Sequence, residues 1–309
     1  MSPAYLTMDV MSYVSIEGVS VYAEEAGSGE PVLLLHGGFN SLEHLRPLGS
    51  VLARTHRVLS FERPGHGRSP DVRGAYSYDD GVAQALAFLD ACGVGAAHIV
   101  GYSDGAIIGM LLALRHPERV RSLVSISGNL NPDAFNDSTD DGAARVLSLL
   151  PKISEGSEPV VGDDSGVSGG EGVLGGEGGD VFRGDGVAGS DGGMPRDDTR
   201  SLDSDVDTER EHYERLSPDG PDHADVVLDK LFMLWTSEPQ IDPSELKAIT
   251  TPTLIMSADR DTIRPDHSLV MAASIPGAQL CIVPGATHDL VADRPALVKL
   301  VVTEFLVGL

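Results

Sequence analysis

Residues 99–110 read "IVGYSDGAIIGM", Ile99 to Met110. An apolar run stops at a glycine, a lone serine follows, and a second apolar run begins after another glycine. The first run has the length of a strand, and the second has helical spacing. Gly101-Tyr102-Ser103-Asp104-Gly105 matches G-x-S-x-G. By itself the pattern also fits an ordinary serine in a glycine-rich turn. Between a strand and a helix it has a mechanical meaning. A sharp strand-to-helix turn strains its central residue, and small neighbours let the turn close. Such a turn lifts the Ser103 hydroxyl out of a sheet and aims a helix N-terminus at the same spot.

Around this stretch, strands and helices alternate. "VSIEG" and "VSVYAEE" read as a hairpin turning at Glu17-Gly18. "PVLLLHGG" is a continuous apolar run ending in glycines, which suits a strand buried on both faces. Helices are expected at Ser41–Ala53, Ser77–Cys92, Ala106–His116 and Pro295–Leu306. Strands are expected at "HRVLSF", "HIVGYS", "VRSLVSISG", "PTLIMSAD" and "QLCIVPGA". Ser77 opens its helix with Asp79 and Asp80 in the first turn, where negative charge is favoured. The alternation predicts a mostly parallel sheet with helices on both faces.

The interval from Asn129 to Ala248 breaks the rhythm. Helical spacing at Ala143–Leu150 gives way to a long stretch rich in Gly, Asp and Ser and nearly free of aromatics. Such a composition buries too little apolar surface to offset ordering entropy, so disorder is expected over 154–205. Glycines recur at Gly166, Gly175, Gly184 and Gly193, and "GGEGGDVFR" matches a calcium-binding nonapeptide. Its neighbours do not match, and a roll needs about three or more such units, so a flexible insertion is the preferred reading. Beyond it, "TEREHYERLSPDGPDHADVVLDKLFMLWTSEP" reads as two helices. The second, Asp222–Trp235, has an apolar side of Val226, Val227, Leu231 and Leu234 and looks like a lid over the sheet.

The chain has 309 residues, 41% of them hydrophobic, enough for a sizeable buried core. The formal net charge of -25 argues against nucleic acid and anionic membranes as partners, and about half of that excess lies between Ser154 and Glu214. No apolar run approaches the roughly 18 residues of a membrane span. The opening residues lack the basic and apolar regions of a secretory signal, so a cytoplasmic location is expected. Cys92 and Cys281 are far apart and read as two reduced thiols. No CxxC, HExxH or clustered His/Cys spacing suggests a metal.

A serine hydroxyl needs a base, and the base needs a carboxylate to hold it. His98 and His116 flank an element each, and His36 and His66 lie in glycine-rich turns that they would order. His288, in "VPGATHDL", follows the last strand at the sheet edge where sites gather. The turn after "PTLIMS" offers Asp259 and Asp261 on the same edge, and spacing alone does not separate them. Backbone donors for an oxyanion are available from "HGGF", His36 to Phe39, and from Asp104 after the serine. The Asp104 side chain reads as a helix N-terminal carboxylate rather than a catalytic one.

"LLLHGGF", "ERPGHGRS", "GYSDGA", "DRDTIRP" and "GATHD", in that order, resemble the α/β-hydrolase fold superfamily in its serine-nucleophile, esterase-like branch. The resemblance covers Ser12 to about Leu130 and Ile249 to Leu309. It implies an α/β fold: an eight-stranded, mostly parallel sheet with helices on both faces, and a helical cap inserted after the sixth strand. The implied core is 12–130 with 249–309, and the cap region is 131–248. The family's D-x-x-x-P pattern falls on Asp261 to Pro265 and so selects Asp261. The family's first oxyanion donor falls on Gly38, with Phe39 the next candidate and Asp104 the partner donor. Glu62-Arg63 stands where the family usually has Asp-Arg, and the acidic insertion is foreign to it. The expected activity is hydrolysis of a small-molecule ester by Ser103, His288 and Asp261, without cofactor or metal. Phe39, Phe135, Phe232, Met233 and Trp235 are candidate pocket walls, although core packing accounts for each equally well. Cleavage of a C–C bond, lactone, thioester or amide would use the same triad. An aspartate nucleophile, as in epoxide hydrolases and dehalogenases, conflicts with Ser103. A non-catalytic binding module is the remaining rival.

Overall fold

The computed structural model describes residues 10–135 and 202–309. The strands are β1 (Val10–Ile16), β2 (Val19–Ala26), β3 (Glu30–Leu35), β4 (His56–Phe61), β5 (Ala97–Tyr102), β6 (Val120–Ile126), β7 (Thr253–Ala258) and β8 (Gln279–Val283). They form one sheet in the order β1-β2-β4-β3-β5-β6-β7-β8. The β1–β2 and β2–β4 pairs are antiparallel and every other pair is parallel. Glu17 and Gly18 both take positive φ, so the opening hairpin closes on a tight turn matched to strand twist.

The continuous apolar runs have a direct cause. Side chains alternate across a strand, and helices cover both faces of this sheet. On β3, Leu33 and Leu35 enter one core layer with Phe61, Phe88 and Ile108, while Val32 and Leu34 enter the other with Leu48, Leu52 and Val302. The first layer packs under α2 (Tyr78–Ala91) and α3 (Asp104–Arg115). The second packs under α1 (Leu42–Leu52) and a C-terminal helix, Pro295–Val307. Ser41 and Ser77 cap α1 and α2, accepting from Glu43 N–H and Asp80 N–H. Pro117 ends the α3 segment in a short 3-10 turn. Helix α3 starts at Asp104, two residues before the expected Ala106, because the turn itself takes only Ser103.

Between β6 and β7 the described cap consists of α4 (Leu202–Leu216) and α5 (Ala224–Ser237). Helix α4 begins inside the stretch expected to be disordered, so its last four positions, Leu202–Asp205, are helical. The rest of that stretch, the helical pattern at Ala143–Leu150 and the nonapeptide lie outside the described residues. Helix α5 buries Ala224, Val227, Leu231 and Leu234. Val226 was expected on this face, but the 3.6-residue turn puts it outside and it is exposed. Lys230 and His223 tie the cap to Asp71 of the core, whose carboxylate also accepts from Tyr76. After the cap come α6 (Pro265–Ser274), the short α7 (Leu290–Asp293) and α8 (Pro295–Val307). Among the described residues no helix is long and apolar enough to cross a membrane. Cys92 and Cys281 are both free thiols.

Helix α3 crosses β5 and β3 so closely that two glycines become obligatory. A Cβ on Gly101 would lie 2.1 Å from Gly105 O, and one on Gly105 would lie 2.1 Å from Leu35 O. Gly105→Ala is therefore expected to destabilise the fold by about 3 kcal/mol or more in urea denaturation. Gly95→Ala, where a Cβ meets nothing within 4 Å, is expected to stay within about 0.5 kcal/mol of wild type.

Candidate active site

Ser103 joins β5 to α3 with φ 52° and ψ −117°. Few L-residues adopt this backbone, and it costs on the order of 1–3 kcal/mol wherever the surroundings enforce it. Here Ser103 N–H donates to Ile126 O at 2.8 Å and anchors the turn on β6. The hydroxyl stands at the C-terminal edge of the sheet. Two loops from later strands converge on it. His288, beyond β8, places Nε2 3.0 Å from Ser103 Oγ. Its Nδ1 lies 2.7 Å from Asp261 Oδ1, beyond β7. A ring nitrogen facing a carboxylate carries the proton, so Nε2 is left as the acceptor toward Ser103.

The two aspartates left open by spacing have different work. Asp259 Oδ1 accepts from Ala286 N–H at 3.2 Å and holds the loop that carries His288. Asp261 faces the imidazole. Its Oδ1 also accepts from Ile263 N–H (3.0 Å), and its Oδ2 accepts from Ser127 Oγ (2.6 Å) and Ala258 N–H (3.3 Å). Burial pushes the Asp261 carboxyl up, but the His288 charge, its hydrogen bond and those of Ser127 and Ile263 outweigh burial and hold it below the ordinary carboxylate range. For His288, burial pushes the imidazole down, and the charge and hydrogen bond of Asp261, with Glu209 and Asp289 behind them, bring it above its ordinary value.

Asp104, the first residue of α3, is buried and carries no free charge. Its Oδ2 accepts from Arg63 Nη2 at 3.2 Å, and its Oδ1 accepts from the Tyr78 hydroxyl at 3.0 Å and from Trp235 Nε1 at 2.9 Å. One carboxylate thus joins the elbow, the "ERPGHG" turn, α2 and the cap. The backbone N–H of Asp104 is among those a helix start leaves without an intrahelical acceptor. Gly38 lies against this hub: a Cβ there would be 2.5 Å from the Trp235 ring and 2.7 Å from Asp104 Oδ2. His36 and His66 serve the adjoining turns. His36 Nε2 accepts from Arg63 N–H, and its Nδ1–H donates to Gly37 O. Burial keeps both rings neutral, pushing His66 down to about 3.

A cavity of about 270 Å³ opens above Ser103. Of the candidate walls, Trp235 and Phe135 line it, together with Tyr102, Thr262, Ile263 and Glu238. Phe232 and Met233 do not: they are 62% and 64% exposed on the outer face of α5. Phe39 is buried and stacks on Tyr213 at 5.2 Å; it lines not this cavity but an adjoining one that shares Thr208, Glu209 and Asp289 with it. Sequence reasoning missed Ser127, Tyr78, Arg63 as an ion-pair partner, and the rim carboxylates Glu209, Glu238 and Asp289. Their only signal was position, at element ends, in turns or, for Glu209, within α4, which many residues share. Among the described residues no group of three or more His, Cys, Asp or Glu side chains is arranged to hold a metal ion.

A sequence profile described as "alpha/beta hydrolase fold" matches residues 30–162. The chain has the α/β-hydrolase fold. It superimposes on Est816, described as an N-acyl homoserine lactone degrading enzyme, with a TM-score of 0.66, covering 95% of this chain and 99% of that one at 21% identity. Among curated relatives, a protein of Azorhizobium caulinodans bearing the name carbamate hydrolase RutD is 38% identical over 125 residues, 40% of this chain and 47% of its own length. The 2-hydroxymuconate semialdehyde hydrolase of Pseudomonas sp. strain CF600 is 36% identical over 111 residues, 35% of this chain and 39% of its own. The chain therefore spans about half or less of these two relatives. Within the α/β-hydrolase fold, the cap of this chain is docked through Trp235 and Asp104.

Removing the Asp104 carboxylate strands Arg63, whose side chain is 8% exposed. Asp104→Ala is expected to cost about 3–5 kcal/mol in chemical denaturation. Trp235→Phe, which loses one donor but leaves the ion pair, is expected to cost about 1–3 kcal/mol.

Proposed function

We propose that the protein is a serine hydrolase of the carboxylesterase kind, cleaving an ester-type carbonyl in a small molecule through an acyl-enzyme. The observation that carries this reading is the relay of two short contacts, 3.0 Å from Ser103 Oγ to His288 Nε2 and 2.7 Å from His288 Nδ1 to Asp261. His288 takes the Ser103 proton as Oγ attacks the carbonyl carbon. Asp261 holds the imidazole in the required tautomer and stabilises the imidazolium. The backbone N–H groups of Gly38 and Asp104 receive the oxyanion, aided by the N-terminal field of α3. His288 returns its proton to the leaving alcohol, then activates the water that releases the acid. This chemistry needs no cofactor. Trp235, Phe135 and Ile263 support the role of apolar walls around the acyl or alcohol group.

The same three side chains can open a lactone or cleave a thioester or C–C bond. Because similar proteins are named for carbamate and semialdehyde hydrolysis, a substrate panel should include such compounds beside simple esters. A p-nitrophenyl ester series assayed with wild type and Ser103→Ala tests the reading: turnover by wild type that vanishes in the variant is expected, and turnover unaffected by the substitution contradicts it.

A general base must be neutral, and the folded pKa of His288 is raised above 6.5. Activity is therefore lost as pH falls through that raised value, and the acid limb of kcat/KM should inflect above 6.5. Asp261→Asn should lower kcat by about 1,000- to 10,000-fold and move any residual inflection to lower pH.

A further inference from the structure

We infer that Ser127 is a positioning residue of the triad, a hydroxyl donor that fixes the Asp261 carboxylate toward His288. The inference rests on the serine-hydrolase reading. Ser127 follows β6 directly and is 1% exposed. Its N–H donates to Met256 O, so the end of β6 is pinned to β7, the strand that leads into the Asp261 loop. Its hydroxyl lies 2.6 Å from Asp261 Oδ2. Of the donors to Asp261, Ala258 and Ile263 use backbone N–H groups, leaving Ser127 as the side chain opposite His288. Oδ2 accepts the Ser127 hydroxyl and, at longer range, the Ala258 N–H, while Oδ1 accepts the Ile263 N–H and faces the imidazole. A carboxylate held at both oxygens cannot rotate about its own bond, so the acceptor stays in line with His288 Nδ1–H.

The backbone supplies an independent argument. Ser127 holds φ 52°, in the left-handed region. Glycine would meet that turn without strain, whereas an L-residue pays about 1–2 kcal/mol there. A serine kept in a position whose backbone suits glycine is accounted for by its side chain, and the side chain touches the acid. Strain of this kind gathers at functional sites.

The experiment compares Ser127→Gly, which removes the hydroxyl and relieves the backbone, with Ser127→Ala, which removes the hydroxyl alone. Each is made in wild type and in Asp261→Ala. The readouts are kcat, KM and the acid limb on a p-nitrophenyl ester, with thermal denaturation alongside. Both single variants should lose about tenfold in kcat with KM within about twofold, the size of one hydrogen bond to a charged group. A less stabilised carboxylate holds the imidazolium more tightly, so the acid limb should move to higher pH. The other charged groups facing His288 are Glu209 from α4 and Asp289 on its own loop, itself bonded to His44 of α1; the substitutions leave all three unchanged. In the Asp261→Ala background neither substitution should slow the residual rate further. Wild-type kcat in Ser127→Gly, an acid limb that is unmoved or shifted down, or an equal tenfold loss without Asp261 would overturn the inference while leaving the hydrolase reading in place. A wild-type enzyme whose ester turnover survives Ser103→Ala would overturn both.

Discussion

The left-handed turn at Ser103 is the constraint on which the rest of the site depends. Its strain is held by the Ser103 N–H to Ile126 O bond and by helix α3 pressed onto β5 and β3. That press requires hydrogen at the α-carbons of Gly101 and Gly105. In return, the serine hydroxyl and the first N–H groups of a buried helix share one point above the sheet. The loops after β7 and β8 then need only bring the Asp261 carboxylate and the His288 imidazole to that point. The parallel order of β5, β6, β7 and β8 delivers both to the same edge.

Four aspartates around this point do separate jobs, set by environment rather than residue type. Asp261 is buried, charged and aimed at His288. Asp259 ties the loop that carries His288. Asp104 neutralises Arg63 and anchors the cap through Trp235. Asp289 caps the short helix after His288 and pairs with His44. Of the four, only Asp261 hydrogen-bonds the His288 ring, while Asp289 adds its charge from a distance. The coupling at Asp104 also means that the cap and the expected oxyanion donors are parts of one packed unit, since the Trp235 ring lies over Gly38.

Much of this was legible in the chain, because the strands and the elbow leave local signatures. Apolar runs ending in glycine marked the buried strands, Ser41 and Ser77 marked helix starts, and "GYSDG" marked the turn. Side-chain direction was less legible. Val226, Phe232 and Met233 are apolar like their neighbours on α5, yet helical phase alone decides that they face outward. Nor did spacing distinguish Asp259 from Asp261, two residues apart in a turn, because the difference lies in what each meets across the sheet edge. Ser127 was invisible for the same reason: its signature is a backbone angle and a partner 134 positions away.

The central claim is that Ser103 is a nucleophile activated by His288. Its most direct test is intact-protein mass spectrometry after exposure to a fluorophosphonate, with the adduct mapped by peptide. A single adduct on Ser103, absent in Ser103→Ala and slowed by orders of magnitude in His288→Ala, is the predicted result. A folded wild-type protein that remains unlabelled, or one labelled at another residue, would contradict the account.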